Sequence, residues 1–374
     1  MIQRIAALLG ATITLWSIVG AAQSRTPSPV AKSDYKHGTN KQGTADVGKH
    51  SNERQLARVS EVVLPSEAVE LFYEPLRCDS NGNIYFETDA YGASGIHKLA
   101  PNGERLAVFQ PGANPEFKKI DSTGYFAVAD NGELYELVFP HEINRYVFVY
   151  KSDGSYKRAI KLEPGFPWMP SSVAVFPAGN LLVSGLEYDR EPTGAMWPFT
   201  GIFSSDGTLL KEVKLEDDET LRDLAAAGDA RVSSSRNPSA NHAIDFSKME
   251  AASDGNVYVM RWITPAIFYA ISPGGEVVRR FTVDPGDSGY RPVSMHVSDS
   301  RIAVLFIEPQ TKVNVVKVVD LEGHDLATYT EASAQQKSGL LGTAFACYTL
   351  NPERFTFLVS DDDNKLRVQV AEPR

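Results

Sequence analysis

Short apolar segments alternate with glycine turns along most of the chain, and this pattern predicts strands joined in hairpins. Each of five hairpins has an apolar strand, a turn built on Asn-Gly, Asp-Gly, Gly-Gly or Glu-Gly, and a second apolar strand. The copies are IHKLAPNGERLAVF from Ile96, VFVYKSDGSYKRAIKL from Val147, TGIFSSDGTLLKEVKL from Thr200, IFYAISPGGEVVRRFTV from Ile267 and VVKVVDLEGHDLATY from Val315. Internal repetition at this spacing is typical of repeat architectures.

A second turn signal lies upstream of the hairpins and leads into a strand of aromatic or β-branched residues. The repeat is therefore four strands, which we call a, b, c and d from the innermost outward. The predicted a–b turns are CDSNGNIYF (Cys78–Phe86), IDSTGYFAVA (Ile120–Ala129), FPAGNLLVSG (Phe176–Gly185) and ASDGNVYVMRW (Ala252–Trp262), with looser copies in VSDSRIAVLF (Val297–Phe306) and LNPERFTFLVS (Leu350–Ser360).

The sixth unit stops after strand c, KLRVQVAEPR at residues 365–374, and lacks an outer strand. The segment RVSEVVLP at Arg58–Pro65 supplies one from the other end of the propeller sequence. Such closure removes the exposed strand edges that promote aggregation. The pattern predicts an all-β fold, a six-bladed β-propeller with four-stranded antiparallel blades, in which this N-terminal strand completes the last blade and closes the ring.

The D-x-x-G-N-[IV]-Y turn, followed by an apolar strand and P-[ND]-G, resembles the NHL-repeat and TolB-like six-bladed β-propellers. The resemblance covers residues 58–374, although the fifth and sixth copies lack the glycine of the a–b turn. The matching residues are turn glycines and core strands. The resemblance therefore implies a fold and leaves the activity open, because this scaffold carries many functions.

The N-terminal residues follow the pattern of a secretory signal peptide. Arg4 precedes an apolar run and then small residues, so we predict a signal peptide at 1–24, with an uncleaved anchor as the alternative. Residues 25–57 are polar and predict a disordered spacer before the propeller at 58–374. The expected location is secreted or periplasmic, without membrane insertion after signal cleavage.

Charge and cysteine content narrow the partners and the compartment. The net charge of -10 argues against a nucleic-acid partner, and we expect a monomer. Cys78 and Cys347 are the only cysteines, and they lie on the predicted innermost strands of the first and last repeats. In an oxidising compartment they would form a disulfide across the seam of the ring. The alternative is two buried thiols.

Departures from the repeat indicate where function lies. The a–b and c–d turns are tight, so that face is expected to have no room for a site. The opposite face, with the b–c loops and inter-blade crossings, carries insertions at 187–200 and 217–244 and a polar crossing at 331–342. DETLRDLAAAGDAR in the second insertion predicts a short helix capped by Asp217 or Asp218. The first two insertions would adjoin and form a lid, or would be decorations without a ligand.

Aromatic and arginine side chains gather on this face. Such side chains are the usual anchors of binding sites, although some would instead fill the gaps between blades. The candidate binding residues are Trp168, Tyr188, Arg190, Trp197, Arg261, Trp262, Arg291 and His296. Three further aromatic residues are expected on this face: Tyr91, Phe199 and Tyr290.

Catalytic and metal chemistry has weaker support in the sequence. The resemblance to propeller lactonases and lyases would imply a channel metal held by acidic and amide residues, and no matching set is found at equivalent strands. Asp361–Asn364 lacks the glycine and distant glutamate of a calcium loop and predicts a solvated turn. The residues able to reach the channel mouth are His141, His242, His296, Glu74, Glu250 and Asp245.

These observations favour a secreted or periplasmic, non-catalytic propeller that binds a protein, peptide or glycan partner on the insertion face. No cofactor is expected. The alternative is a propeller hydrolase, lactonase or lyase that uses channel carboxylates and a histidine, with Ca²⁺ or Mg²⁺ as its metal.

Overall fold

The computed structural model describes residues 53–64, 72–88, 95–114, 117, 120–140, 144–188, 196–229, 231–232, 241–308, 314–331, 344–360 and 365–374. A boundary between Lys49 and His50 divides the chain into two units, and every described residue belongs to the second. The predicted signal peptide, most of the predicted spacer, Tyr91, His141, Arg190 and Asp361–Asn364 lie outside the described residues.

Four antiparallel sheets of four strands follow one another along the chain. In each, an inner strand is followed outward by three more in sequence order. Their strands are β2 (Phe72–Cys78), β3 (Ile84–Thr88), β4 (Gly95–Leu99) and β5 (Arg105–Phe109); β6 (Ile120–Val128), β7 (Leu134–Pro140), β8 (Arg145–Tyr150) and β9 (Tyr156–Leu162); β10 (Trp168–Val175), β11 (Leu181–Glu187), β12 (Trp197–Phe203) and β13 (Leu209–Glu212); and β14 (Lys248–Ala251), β15 (Val257–Arg261), β16 (Ala266–Ile271) and β17 (Val277–Val283).

The remaining strands form one sheet of eight. Its order is β18-β19-β20-β21-β1-β24-β23-β22. The strands are β1 (Glu53–Val63), β18 (Arg291–Ser298), β19 (Arg301–Ile307), β20 (Asn314–Asp320), β21 (Asp325–Glu331), β22 (Ala344–Leu350), β23 (Glu353–Ser360) and β24 (Leu366–Pro373). Two helices, α1 (Asp218–Ala226) and α2 (His242–Asp245), and a short 3-10 turn at Pro111–Ala113 complete the described elements.

Strand β1 confirms that an N-terminal segment completes the last unit, because it pairs antiparallel with β24 from Leu56↔Pro373 to Val63↔Arg367. It begins at Glu53, whereas the sequence placed its start at Arg58. Its first residues also pair in parallel with β21, from Glu53↔Thr328 to Leu56↔Glu331. This second pairing joins two predicted blades into one sheet, so the structure has four separate four-stranded sheets where the sequence predicted six.

The second predicted a–b turn is wrong. Strand β6 runs through Ser122–Gly124, with pairing irregularities between Ile120 and Ser122 and between Thr123 and Phe126, and the chain turns later, at Gly132. The sequence around Gly124 resembles the other turns. However, the residues before it and after it both pair with β7, so the chain continues as one strand. Strand β6 therefore contains an irregularity that a turn signal alone does not distinguish from a hairpin.

The inner strands place the sheets in a ring. β2, β6, β10, β14, β18 and β22 each lie beside the next, and β22 lies beside β2. The hydrophobic core consists of side chains packed between neighbouring sheets, such as Leu76, Phe86 and Leu358 between the first and last units. This arrangement is propeller-like and leaves loops and turns at the two ends of the ring for functional sites.

Candidate functional site

The two predicted insertions meet at helix α1. The helix confirms the prediction at 217–244, and it buries Leu221 and Ala225 in the core between neighbouring sheets. Asp217 occupies the N-cap position but makes no side-chain cap. Its carboxylate instead accepts a hydrogen bond from the Tyr269 hydroxyl and two from Arg280, with Nε at 2.8 Å and Nη2 at 3.0 Å. These bonds tie the start of the helix to β16 and β17.

Trp197 brings the first insertion to the second. It begins β12, and the Arg222 guanidinium of α1 lies 3.8 Å from the centre of its ring. A cation above an indole is attracted by the ring quadrupole. The expectation that the two insertions adjoin is therefore met by a specific contact between one side chain of each.

A cavity of about 710 Å³ opens beside this contact. Its volume lies within the range of small-molecule and side-chain binding pockets, and an aromatic wall with apolar and charged side chains is typical of such sites. The lining residues are Trp197, Pro198, Glu212, Val213, Lys214, Leu215, Glu216, Asp218 and Glu219.

The charged groups of the cavity fall into two sets. Glu216 pairs with Arg280 at 2.5 Å, and Asp218 pairs with Arg261 at 2.8 Å. Glu212, Lys214 and Glu219 are exposed and make no ion pair within the described part of the chain. The cavity therefore offers two carboxylates and one ammonium to a ligand, next to an indole.

Arg261 lies in the protein interior next to this site and is not part of the cavity lining. It is fully buried and donates hydrogen bonds to Ser184 Oγ and Ser247 Oγ at 3.1 Å, to Thr200 Oγ1 at 3.4 Å and to Asp218. Burial raises the pKa of the Asp218 carboxyl, and the nearby Arg261 charge partly offsets that rise. The sequence predicted that Arg261 contacts a ligand, whereas its Nη1 and Nη2 atoms donate inward, to β11, β12, α1 and Ser247.

A second aromatic group lies around Trp262. His242, Phe246 and Trp262 have ring centres 4.9 to 6.2 Å apart, and the Arg291 guanidinium lies 5.3 Å from the Trp262 ring. Phe246 is 40% exposed, which makes it one of the few large apolar side chains that reach solvent. Burial, and then the Arg291 charge, lower the pKa of His242. Trp262 and Arg291 are therefore brought together, apart from the residues that line the Trp197 cavity.

Trp168 and Tyr188 have different surroundings. Trp168 is buried, stacked on Phe203 and edge-on to Phe199, in the cluster between the second and third sheets. This is the packing role between blades that the sequence left open as the alternative to binding. Tyr188 is half-buried. Burial and then the Asp245 charge raise the pKa of its phenol, and burial raises the pKa of Asp245 to about 6.

The channel side chains are engaged with the backbone and with one another. His296 is buried, its Nε2 lies 2.8 Å from the Phe345 carbonyl oxygen, and its Nδ1 lies 3.5 Å from Glu250. Glu250 accepts a hydrogen bond from the Val297 N–H at 2.6 Å. His296 therefore lies in the channel as a hydrogen-bonded residue, and its predicted role in binding stays a prediction.

Arg77 was missed by sequence reasoning. It is buried and donates to the carbonyl oxygens of Leu76 and Met249, at 2.9 and 3.3 Å, linking the inner strands of the first and fourth sheets. Arg222, Glu212 and Glu219 were also missed. An arginine or glutamate among many surface charges carries no local signal, because only the ring geometry decides its neighbours.

Within the described ranges, no three histidine, cysteine, aspartate or glutamate side chains converge as metal ligands do. The same ranges contain no helix with the length and apolarity needed to cross a membrane. Cys78 and Cys347 form a disulfide, with Cα atoms 5.3 Å apart and a sequence separation of 269. Of the two sequence alternatives, the structure has the bridged pair.

The comparisons with known proteins bear on the fold. A protein of unknown function from Dyadobacter fermentans is similar over 85% of this chain and 99% of its own, at 12% identity and a TM-score of 0.51. The chain folds as a β-propeller. Virginiamycin B lyase from Staphylococcus aureus is similar over 84% of this chain and 99% of its own, at 11% identity and a TM-score of 0.42. No family model and no curated protein matches the chain.

Proposed function

We propose that this protein is a non-catalytic propeller that binds a protein, peptide or glycan partner in the cavity beside Trp197. The observation that carries the proposal is the cavity of about 710 Å³ at the contact between the two insertions. It combines an indole with two carboxylates and an ammonium that have no ion-pair partner among the described residues. Aromatic anchors beside a few polar groups are the usual composition of binding hot spots.

The rigidity of the cavity supports this function. Arg261 binds α1, β11 and β12 at once, and Arg280 binds the residues before α1. A site held by buried hydrogen bonds loses little conformational entropy when a ligand binds, so more of the contact energy appears as affinity. The partner would therefore meet a preformed surface.

The channel gives less support to a hydrolase, lactonase or lyase. Its best acid–base pair, His296 and Glu250, is directed to the backbone groups of Phe345 and Val297. A catalytic acid or base needs a free position within hydrogen-bond reach of the reacting group. We therefore place the function on the insertion face and keep the enzyme as the alternative.

We also propose that the ring has six blades of the NHL-repeat or TolB-like kind. The eight-stranded sheet then counts as two blades, β18–β21 and β22–β24 with β1, joined by the short parallel pairing at residues 53–56. The six inner strands that follow one another around the ring support this count.

The proposed location is secreted or periplasmic, reached with the signal peptide at 1–24, and the protein would act as a monomer without a cofactor. The Cys78–Cys347 disulfide supports an oxidising compartment, since such bridges are rare in reducing ones. The charge of -10 keeps nucleic acid an unsuitable partner.

Arrays of peptides and glycans, probed with the purified full chain, would test the function. Hits would be measured by calorimetry for the wild type, Trp197→Ala and Trp262→Ala. Trp197→Ala should weaken binding at least about tenfold, the loss of one aromatic anchor. Trp262→Ala, which alters the other partly exposed tryptophan of the described residues, should leave affinity within about twofold.

The outcomes separate the alternatives. Affinity lost in Trp262→Ala and kept in Trp197→Ala would move the site to the His242, Phe246 and Trp262 group and contradict the proposal. The absence of any peptide or glycan hit would also contradict it.

A further inference from the structure

A second cavity lies at the opposite end of the ring, where the sequence predicted no room for a site. Its volume is about 470 Å³, and it spans the seam between the first sheet and the last unit. It adjoins the disulfide, because Cys347 is part of its wall. The lining residues are Val59, Ser60, Ser80, Asn81, Gly82, Pro101, Cys347, Thr349, Asn351, Pro352, Arg354, Thr356, Val370 and Glu372.

Strand register explains why the seam opens here. The pairs Leu358↔Val368 and Val62↔Val368 belong to the apolar core between the first sheet and the last unit. Two residues along each strand, the same face presents Thr356↔Val370 and Ser60↔Val370. Because alternate residues share one face of a sheet, two hydroxyl residues and Val370 replace an all-apolar set at this point.

A β-bulge shapes the outer wall. The pairing of β1 with β24 shifts between Arg58 and Ser60, which leaves Val59 as the extra residue, and Val59 is 52% exposed. Bulges re-aim side chains and are frequent beside functional sites. Val59, Pro101, Pro352 and Val370 give the cavity apolar surfaces between its polar groups.

Most polar side chains of this cavity are uncharged hydroxyl and amide groups that can bond to a ligand. The side chains of Ser60, Ser80, Asn81, Asn351 and Thr356 make no hydrogen bond to any other described residue. Thr349 donates to the Pro352 carbonyl oxygen at 3.2 Å. Among the described residues of the lining, the charged ones are Arg354 and Glu372, and they pair with each other at 2.7 Å.

This composition selects the ligand. An ion would find no unpaired counter-charge among the described lining residues, and an apolar molecule would displace water from the hydroxyl and amide groups that it covers without replacing their hydrogen bonds, which is unfavourable. A sugar presents hydroxyl groups that both donate and accept, and C–H faces that pack on apolar side chains. We propose that the seam cavity is a binding site for an uncharged saccharide, independent of the insertion-face site.

A neutral-glycan array would be probed with the full chain, and the hits measured by calorimetry. The test variant is Ser60→Ala/Asn81→Ala/Thr356→Val, in which Thr356→Val keeps the side-chain shape. The matched control is Ser152→Ala/Thr282→Val, which alters an exposed turn serine and an exposed strand threonine outside the cavity. The test variant should raise the Kd at least tenfold, and the control should change it less than twofold.

Hydrogen exchange on the bound wild type should show slower exchange at 351–356. If the test variant fails to fold, Thr356→Val alone should still raise the Kd about threefold or more. No neutral glycan bound by the wild type, equal affinity of test and control variants, or binding only of charged glycans or peptides at this seam would each overturn the proposal. Trp197→Ala should leave this affinity unchanged, so the outcome is separate from that of the insertion-face site.

Discussion

Arg261 is a charged side chain with no solvent exposure, and its neighbours account for its burial. Three hydroxyl oxygens and the Asp218 carboxylate accept its hydrogen bonds. A buried charge is tolerated when it is paired and hydrogen-bonded, and removing one partner of such a pair is strongly destabilising. The residue therefore fixes the start of α1 in place beside the Trp197 cavity.

Arg261→Met should lower the free energy of unfolding by about 3–5 kcal/mol, because it leaves the Asp218 carboxylate largely buried without its cation. Urea unfolding would measure the loss. Arg261→Met/Asp218→Leu should recover part of it, because the stranded charge is gone. A single variant as stable as the wild type would show that the pair does not hold the helix.

Glu136 carries the clearest pH prediction. Its side chain is fully buried, Tyr150 donates to it at 3.1 Å, and burial followed by the Glu87 charge raises its pKa well above the ordinary value. The folded protein then holds a proton that the unfolded chain releases above about pH 4.5. Stability from this group is complete below that pH and falls as pH rises toward the folded pKa.

Glu136→Gln should therefore remove a pH dependence. Above about pH 4.5, and until the pH passes the folded pKa, the wild type should lose up to about 1.4 kcal/mol per pH unit relative to the variant, since one proton is exchanged. Unfolding by urea at a series of pH values would measure the difference. Parallel stability profiles for the two proteins would contradict the account.

At the scale of elements, the insertion at 217–244 is part of the core. Leu221, Val232, Ala243 and Ile244 are all buried in the cluster between the third and fourth sheets. Removing the insertion would expose that cluster to solvent, so a truncation would mix loss of function with unfolding. Point variants of the cavity separate the two effects.

Leu221→Ala should lower the free energy of unfolding by about 2–5 kcal/mol, the range for a buried leucine that leaves a cavity. Thr220→Ala, at the neighbouring exposed position, should change it by less than about 0.5 kcal/mol. Thermal and urea unfolding would measure both. Equal stability of the two variants would mean that α1 is dispensable for the core.

Strand and turn patterns predicted the elements well where one residue type decides the geometry. The turn around Gly255 is an example, because its positive φ favours glycine. The helix after Asp217 and the outer strand in β1 were also predicted, from their local sequence patterns. The irregular β6 and the parallel β1–β21 pairing were not predictable, because both depend on residues distant in sequence. The candidate site shows the same limit. The sequence predicted Trp197 as a binding residue because it lies in a long loop, but it did not predict the contact with Arg222, which is distant in sequence.

At the scale of the whole molecule, one covalent bond closes the ring. Cys78 and Cys347 join the inner strands of the first and last units across 269 residues. Cross-linking so long a loop restricts the unfolded chain, with a chain-entropy stabilisation of about 5 kcal/mol. The disulfide also holds together the two walls of the seam cavity.

Cys78→Ala/Cys347→Ala should lower the free energy of unfolding by about 3–5 kcal/mol. Dithiothreitol should produce a similar loss in the wild type and none in the variant, which differential scanning calorimetry would measure. To ensure complete reduction, the wild type would be unfolded and refolded in dithiothreitol. An unchanged free energy of unfolding after this treatment would contradict a stabilising role of the disulfide.

The central claim is that regular blades form the scaffold and that the breaks between them bind the partner. Hydrogen–deuterium exchange of the wild type, with and without the best ligand from the arrays, tests it most directly. The account predicts slower exchange at 196–198 and 212–219, which form the Trp197 cavity. Slower exchange around the channel residues Glu250 and His296, with no change at 196–198 or 212–219, would contradict it.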